Sequence, residues 1–216
     1  ITTNIRFLTA VLVLGYHHPL EIAKRYGTLD VVSNGRVILG LGVGSLKEEF
    51  DLLGLGGMEF KERGARGDDA LRALRVSLGQ REPAYKGPYY EFGGLIIDPC
   101  AVQQQVPLWI GGRSARSLRR AVELGDGWMP FGLGYDEMVG FISKAQEFPS
   151  WHERTRPLEL ILRPPGMLDP IGKPEETAEH MRQVFTVGAT RADLHLYSTS
   201  SAHFVEQLEA LTVLEV

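Results

Sequence analysis

The sequence predicts an α/β protein of the (β/α)₈ TIM-barrel class that lacks the first two βα units of such a barrel. Three observations predict this fold. Apolar strand-like runs alternate with amphipathic helical runs along the chain. The strand-like runs are almost continuously apolar, which is typical of parallel strands buried on both faces. Six βα units can be counted, whereas a closed barrel of this class needs eight.

The expected elements follow one another in chain order. A helix begins at Pro19, because proline suits the first helical turn. Residues 83–105 interrupt the alternation, and their aromatic side chains around glycine-rich turns predict a small β excursion. The predicted strands cover residues 6–14, 36–43, 107–111, 126–131, 158–163 and 193–197, and the clearest later helices cover 63–78, 114–124, 136–148, 174–187 and 202–214.

An open, doubly wound sheet is the alternative architecture, since six strands can form one. The abrupt start at Ile1, without methionine, favours a barrel without its first two units. Residues 1–216 contain neither a linker nor a low-complexity segment, so we expect a single domain.

Composition and charge exclude several classes of function. The chain is 44% hydrophobic and 23% charged, as is usual for soluble globular proteins. A net charge of −4 offers no basic surface for nucleic acid. No apolar run reaches the roughly 18 residues that a membrane span needs. The lone Cys100 excludes an internal disulfide framework and suits a reducing cytoplasm.

Two glycine loops follow predicted strands. In the first, which runs from Gly40 to Ser45, glycine lets the backbone approach a ligand closely. The alternative is that Gly40 and Gly42 only relieve crowding inside the barrel. The second is a turn directly before a helix and offers backbone N–H groups to an anion. Arg113 could add a charge-assisted contact there, although an ordinary helix cap by Ser114 would use the same residues. This second loop consists of Gly111, Gly112, Arg113 and Ser114.

Polar residues after the first predicted strand are weaker candidates. His17 could face the mouth of the barrel and is a weak catalytic candidate, although a structural histidine is the more common case. His17 and His18 lack a third ligand at metal spacing, so we predict no metal site. Glu48, Glu49 and Asp51 fit the first turn of a helix, where carboxylates are favourable.

Four ordered runs of the sequence resemble the luciferase-like monooxygenase superfamily, and within it the oxidoreductases that use the deazaflavin coenzyme F-420 (F420). The runs begin with HHPLEIAKRYGTLDVVSNGRVILGLGVGSLKEEFDLLG at His17. They continue with FKERGARGDDALRAL, YKGPYYEF and VPLWIGGRSARSLRRAVELGDGWMPFG, which ends at Gly132. The similarity runs from about Thr2 to Gly132 and is looser beyond.

The resemblance implies a barrel that holds the cofactor ring at the C-terminal ends of its strands. It implies a non-prolyl cis peptide between Thr9 and Ala10, against the face of the ring. It also implies that Gly42, Val43, Gly44 and Ser45 line the ribityl chain and phosphate. The phosphate grip would be formed by Gly111, Gly112, Arg113 and Ser114. The catalytic acid or base would lie in the two absent βα units.

The function implied is hydride transfer between coenzyme F420 and a small organic substrate. An FMN-dependent monooxygenase that uses reduced flavin and oxygen is the nearest alternative. A non-catalytic flavin-binding relative and a barrel enzyme for a phosphorylated metabolite are further alternatives. The resemblance also implies a homodimer, while composition and charge predict a cytoplasmic protein with neither a nucleic-acid nor a membrane partner.

Overall fold

The computed structural model describes residues 2–214, and the chain forms two compact units. The first contains residues 1–111 and 124–126, and the second contains residues 112–123 and 127–216. Each unit is built of parallel strands and helices, as the alternation of apolar and amphipathic runs predicts. That the whole chain is one domain stays a prediction.

The first unit is centred on a buried parallel strand. The strands are β1 (Phe7–Leu8), β2 (Leu12–Val13), β3 (Val37–Gly42), β4 (Tyr85–Lys86), β5 (Glu91–Phe92) and β6 (Leu108–Gly111), and the helices are α1 (Pro19–Ser33), α2 (Lys47–Leu52) and α3 (Met58–Ser77). Strand β3 lies between β1 and β2 on one side and β6 on the other, and all of these pairs are parallel. Its residues 37–41 are buried, so the predicted apolar strand at 36–43 is confirmed.

The first predicted strand is interrupted. Residues 6–14 were expected to form one buried strand, but β1 and β2 are separate, and a 3₁₀ turn (Leu14–Tyr16) follows β2. Phe7 and Leu8 are 42% and 39% exposed, so the prediction of burial is wrong for β1. Among the described residues β1 pairs only with β3, and its other edge is therefore uncovered. An apolar sequence alone does not report how many neighbours a strand has.

Helix α1 begins as predicted. Pro19 occupies its first turn, and the His18 ring accepts a hydrogen bond from the Leu20 N–H. Near the end of α1, the buried Asp30 carboxylate accepts hydrogen bonds from the backbone N–H groups of Val102 and Gln103. This carboxylate thus joins the end of the β excursion to α1.

The β excursion predicted at residues 83–105 is confirmed as an antiparallel hairpin of β4 and β5. A second buried carboxylate holds it, because Asp69 on α3 accepts hydrogen bonds from the Tyr89 and Tyr90 N–H groups. The Tyr85 hydroxyl donates to the same carboxylate at 2.5 Å. Burial and this hydrogen bond raise the pKa of Tyr85 to about 12.

Three parallel strands lie in the part of the second unit that the structure describes. They are β7 (Gly127–Met129), β8 (Glu159–Leu162) and β9 (Arg191–Ala192), and the helices are α4 (Ala115–Leu124, of which 115–123 belong to this unit), α5 (Tyr135–Gln146), α6 (Pro149–His152), α7 (Pro174–Thr186) and α8 (Ser201–Thr212). Strand β8 pairs with β7 and with β9. The Trp128 side chain on β7 is fully buried.

The last predicted strand is displaced. Regular pairing ends at Ala192, and of residues 193–197 only Leu196 makes a further bridge, to Leu168. The prediction of a strand over 193–197 is therefore wrong. After β9 the chain leaves β8 and follows the loop that carries Leu168, to which His195 and Tyr197 are joined by backbone hydrogen bonds. The alternating pattern of DLHLY is compatible with pairing to β8 and with pairing to the loop that carries Leu168.

Candidate functional site

The first glycine loop is fixed by side chains that lie beneath it. Gly44 has a φ of +81°, and a Cβ atom there would lie 2.6 Å from Cε2 of Phe50. The Arg63 Nε donates to the Gly44 carbonyl oxygen at 3.0 Å, and the guanidinium lies 4.1 Å from the centre of the Phe60 ring. Glycine at this position is therefore required by packing and by backbone conformation.

Val11 brings the strand ends of the first unit together. Its Cγ2 lies 3.1 Å from the place of a Cβ on Gly42, and its Cγ1 lies 3.0 Å from the corresponding place on Gly111. The Thr9 hydroxyl donates to the Gly40 carbonyl oxygen at 2.8 Å. Gly42 and Gly111 thus flank the side chain of Val11, which is 42% exposed.

The non-prolyl cis peptide is present one bond later than expected. It joins Ala10 to Val11, so its assignment to Thr9 and Ala10 is wrong, although Ala10 belongs to both bonds. A resemblance places such a bond only to within the accuracy of the alignment. The shift moves Val11 into the group of candidate residues.

The second glycine loop is held by hydrogen bonds within its own turn. The Ser114 N–H donates to the Ser117 hydroxyl at 3.1 Å, and the Ser117 N–H donates to the Ser114 hydroxyl at 3.2 Å. The Trp128 indole N–H donates to the Gly112 carbonyl oxygen at 3.1 Å. Gly112 has a φ of +122°. Ser114 therefore caps α4, as the structural alternative predicted.

Arg113 is the charged group that this loop offers. Its guanidinium lies 5.7 Å from the centre of the Phe131 ring. Because the Ser114 hydroxyl and amide are engaged within the turn, an anion at the start of α4 would meet the Arg113 side chain. Gly112, Arg113 and Ser114 are thus brought together in the second unit.

The two neighbouring histidines have different surroundings. His18 caps α1, its ring lies edge-on to Tyr90 at 5.3 Å, and burial lowers its pKa, which keeps it neutral. His17 Nδ1 lies 3.1 Å from a Glu21 carboxylate oxygen one helical turn away. His18 is therefore structural, and a catalytic role for His17 stays a prediction.

Sequence reasoning missed a polar pair beside the first loop. The Tyr16 hydroxyl donates to Glu49 on α2 at 2.5 Å. Burial and the Glu49 carboxylate raise the pKa of Tyr16 to about 12, so the phenol stays protonated at neutral pH. Glu48 and Glu49 do lie in the first turn of α2, as expected. The contact between positions 16 and 49 has no local signal in the sequence.

A cavity of about 510 Å³ in the second unit was also missed. Its walls come from the loop after β7, the loop after β8 and the segment after β9. They include Gly132, Leu133, Gly134, Arg163, Pro164, Pro165, Gly166, Met167 and His195. The Pro164–Pro165–Gly166 loop after an apolar strand was the available signal.

Residues 2–214, which the structure describes, contain neither a membrane-spanning helix nor a cluster of metal ligands. None of their helices combines the length and the apolar character needed to cross a membrane. In the same part of the chain, no three His, Cys, Asp or Glu side chains are grouped so that they could hold a metal ion.

Residues 1–165 match the family model of the luciferase-like monooxygenases. The chain belongs to this family. An uncharacterized protein of Mycobacterium tuberculosis (strain ATCC 25618 / H37Rv) is 31% identical over 160 residues, which are 74% of this chain and 54% of that protein. The F420-dependent glucose-6-phosphate dehydrogenase of Amycolatopsis mediterranei is 33% identical over 130 residues, which are 59% of this chain and 38% of that protein. The chain thus spans about half the length of the curated relatives it matches.

Solved structures of other proteins have a fold similar to that of this chain. A monooxygenase from Streptomyces bottropensis superposes with a TM-score of 0.79 at 17% identity, covering 98% of this chain and 77% of that one. The oxygenating constituent of 3,6-diketocamphane monooxygenase of Pseudomonas putida, in complex with FMN, gives a TM-score of 0.77 at 15% identity, covering 99% and 79%. Both similarities support the luciferase-like, TIM-barrel-type architecture over an open sheet.

Proposed function

We propose that the protein is an oxidoreductase that transfers hydride between coenzyme F420 and a small organic substrate. The observation that carries the proposal is the turn of residues 112–114, which presents the Arg113 guanidinium at the start of α4. The similarity to an F420-dependent dehydrogenase of Amycolatopsis mediterranei supports the deazaflavin. The barrel's two further βα units, a cytoplasmic location and a homodimer stay predictions.

The residues present fit a phosphate-bearing cofactor with a flat ring. Arg113 would hold a phosphate, together with the backbone of Gly112 and the start of α4. In the first unit, Gly42 and Gly111 leave the Val11 side chain half-exposed, which offers an apolar surface to a ring. Thr9, Ala10, Val43, Gly44 and Ser45 are the other residues of the first unit that we propose for cofactor binding. When bound, the cofactor would supply or accept the hydride.

In the first unit, the side chains of this chain hold the proposed binding loop in position. Arg63 fixes the Gly44 carbonyl, so the loop of residues 42–45 is already in place before a ligand arrives. Tyr16 is a protonated hydroxyl at neutral pH, and its proton is directed to Glu49. The proposed mechanism assigns binding and positioning to this chain.

Fluorescence and absorbance titrations of the purified protein with F420 and with FMN test the proposal. We expect F420 to bind and FMN to bind at least tenfold more weakly. Arg113→Gln should weaken F420 binding about tenfold, since a hydrogen bond to a charged group contributes roughly 1.5–3 kcal/mol. Arg119→Gln is the matched control, because Arg119 lies on the same helix but pairs with Glu123 at 2.7 Å.

Tight binding of FMN without binding of F420 would overturn the proposal in favour of a monooxygenase that uses reduced flavin. The similarity to a monooxygenase in complex with FMN supports that second candidate. Turnover with reduced cofactor separates either enzyme from a non-catalytic flavin-binding relative. Binding of a sugar phosphate, with affinity for neither cofactor, would indicate the phosphorylated-metabolite alternative.

A further inference from the structure

The cavity of the second unit lies where parallel α/β proteins bind their ligands. Leu162 ends β8, and Arg163 begins the loop that forms one wall. Another wall comes from residues 132–134, between β7 and α5. Ligands of parallel sheets and barrels bind beyond the carboxyl ends of the strands. A volume of about 510 Å³ is within the range of small-molecule sites.

Most of the lining is apolar. Leu133 lines the cavity and is almost fully buried. Met167, which also lines it, is 62% exposed and can turn toward a ligand. Pro164 and Pro165 restrict the backbone conformation of the loop after β8, because the proline ring fixes φ. Such walls suit the hydrocarbon part of a small molecule and provide it with few hydrogen bonds.

Arg163 is held in one orientation by Asp193. Its Nε and Nη2 atoms donate to the same Asp193 oxygen, at 3.0 Å and 2.6 Å. These are its hydrogen bonds within the described part of the chain, and they use one edge of the guanidinium. The other edge, formed by Nη1 and Nη2, keeps donors that match the two oxygens of a carboxylate.

The charged groups around the cavity include two arginines and two carboxylates. Asp193 balances Arg163, and Glu137 accepts a hydrogen bond from the Gly134 N–H at 2.9 Å. A dianion would add two negative charges beside these carboxylates. Arg113 lies near the same loop, with Nη1 3.6 Å from the place of a Cβ on Gly132. The imidazole of His195 is a further hydrogen-bonding group on the wall.

We propose that this cavity is the substrate site, and that it binds a small molecule with an apolar body and a carboxylate held by the Nη1–Nη2 edge of Arg163. The apolar body lies against Leu133, Pro165 and Met167. The assignment of the ligand as the substrate rests on the proposed function, whereas its binding at Arg163 does not.

Isothermal titration with hexanoate, hexanamide and hexanol, in the absence of cofactor, tests the site. We expect hexanoate to bind at least tenfold more tightly than the uncharged compounds. Arg163→Gln should remove most of this preference. Arg191→Gln is the matched control, because Arg191 also joins β9 to β8, through Glu159 at 2.7 Å. Its substitution should leave hexanoate binding unchanged.

Met167→Asp is a second variant, in case Arg163→Gln does not fold. The exposed side chain tolerates the change, and the added charge should weaken hexanoate binding while hexanamide binding is retained. Equal binding of hexanoate and hexanamide, or hexanoate binding that neither Arg163→Gln nor Met167→Asp reduces, would overturn the proposal. Hexanoate binding without F420 binding would keep this site and reject the proposed function. F420 binding without hexanoate binding would do the reverse.

Discussion

The loop of residues 42–45 and the loop of residues 112–114 contain similar glycine patterns but are stabilised in different ways. Beneath the first lie the Phe50 ring, from the helix that follows the loop, and the Arg63 guanidinium, from the next helix along the chain. The second is closed by hydroxyl groups three residues apart, Ser114 and Ser117. The first loop therefore depends on the packing of its unit, whereas the second is largely specified by its own sequence.

Substitution of Gly44 by valine should have the largest effect on stability. The new Cβ would meet the Phe50 ring, and the positive φ disfavours a branched side chain. We expect a loss of about 4 kcal/mol from strain and overpacking together. Urea unfolding measures it. Gly54→Val is the control, since Gly54 has a φ of +71° and, among described residues, no heavy atom within 4 Å of its Cβ position. Equal losses for the two variants would contradict a role for Phe50.

Removal of Arg63 should have the next largest effect. Arg63→Ala takes a charged donor from the carbonyl oxygens of Gly44 and Phe60, which we expect to cost about 2 kcal/mol. F420 affinity should fall about tenfold, because the loop is no longer fixed before binding. Arg63→Lys should recover part of both losses. If affinity is unchanged in Arg63→Ala while stability falls, the arginine supports the fold and not the ligand.

A smaller effect is expected at the second loop. Ser117→Ala removes the hydroxyl that accepts from the Ser114 N–H and donates to the Ser114 carbonyl oxygen. Loss of such a local cap costs about 1 kcal/mol. Thermal unfolding of Ser117→Ala measures this loss. Thr186→Ala is the control, because the Thr186 hydroxyl donates to the Arg182 carbonyl oxygen within α7. If Ser117→Ala loses no more stability than the control, the hydrogen bonds between Ser114 and Ser117 do not stabilise the turn.

The contrast between the two loops also explains how far the sequence could predict the site. The turn of residues 112–114 was identified with its cap, because Gly-Gly-Arg-Ser before an apolar-striped helix carries its own signal. Arg63 at the Gly44 carbonyl oxygen, and Glu49 beside Tyr16, are contacts between distant positions that no periodicity reports. The same reason applies to Arg163 and Asp193, which meet only once β8 and β9 are paired.

Prediction of the strands had a similar limit. Residues 36–43 and 107–111 were placed well because β3 and β6 are covered in the first unit. Residues 6–14 are also mostly apolar and residues 193–197 alternate between polar and apolar, yet β1 is exposed and the chain after β9 turns to Leu168. An apolar run predicts that a strand is covered, whereas the neighbour that covers it depends on the rest of the fold.

Alkaline pH should separate the two loops by a still smaller effect. The pKa of Tyr16 is raised from 10.0 to about 12, so the folded protein keeps this proton where the unfolded chain loses it. The stabilisation is therefore complete below about pH 10 and is lost as the pH rises through about 12. The difference in unfolding free energy between the wild type and Tyr16→Phe should shrink across this range. The difference between the wild type and Ser117→Ala should stay constant, because serine hydroxyls do not titrate there. A Tyr16→Phe difference that is equally constant would show that the Glu49 hydrogen bond does not support the first loop.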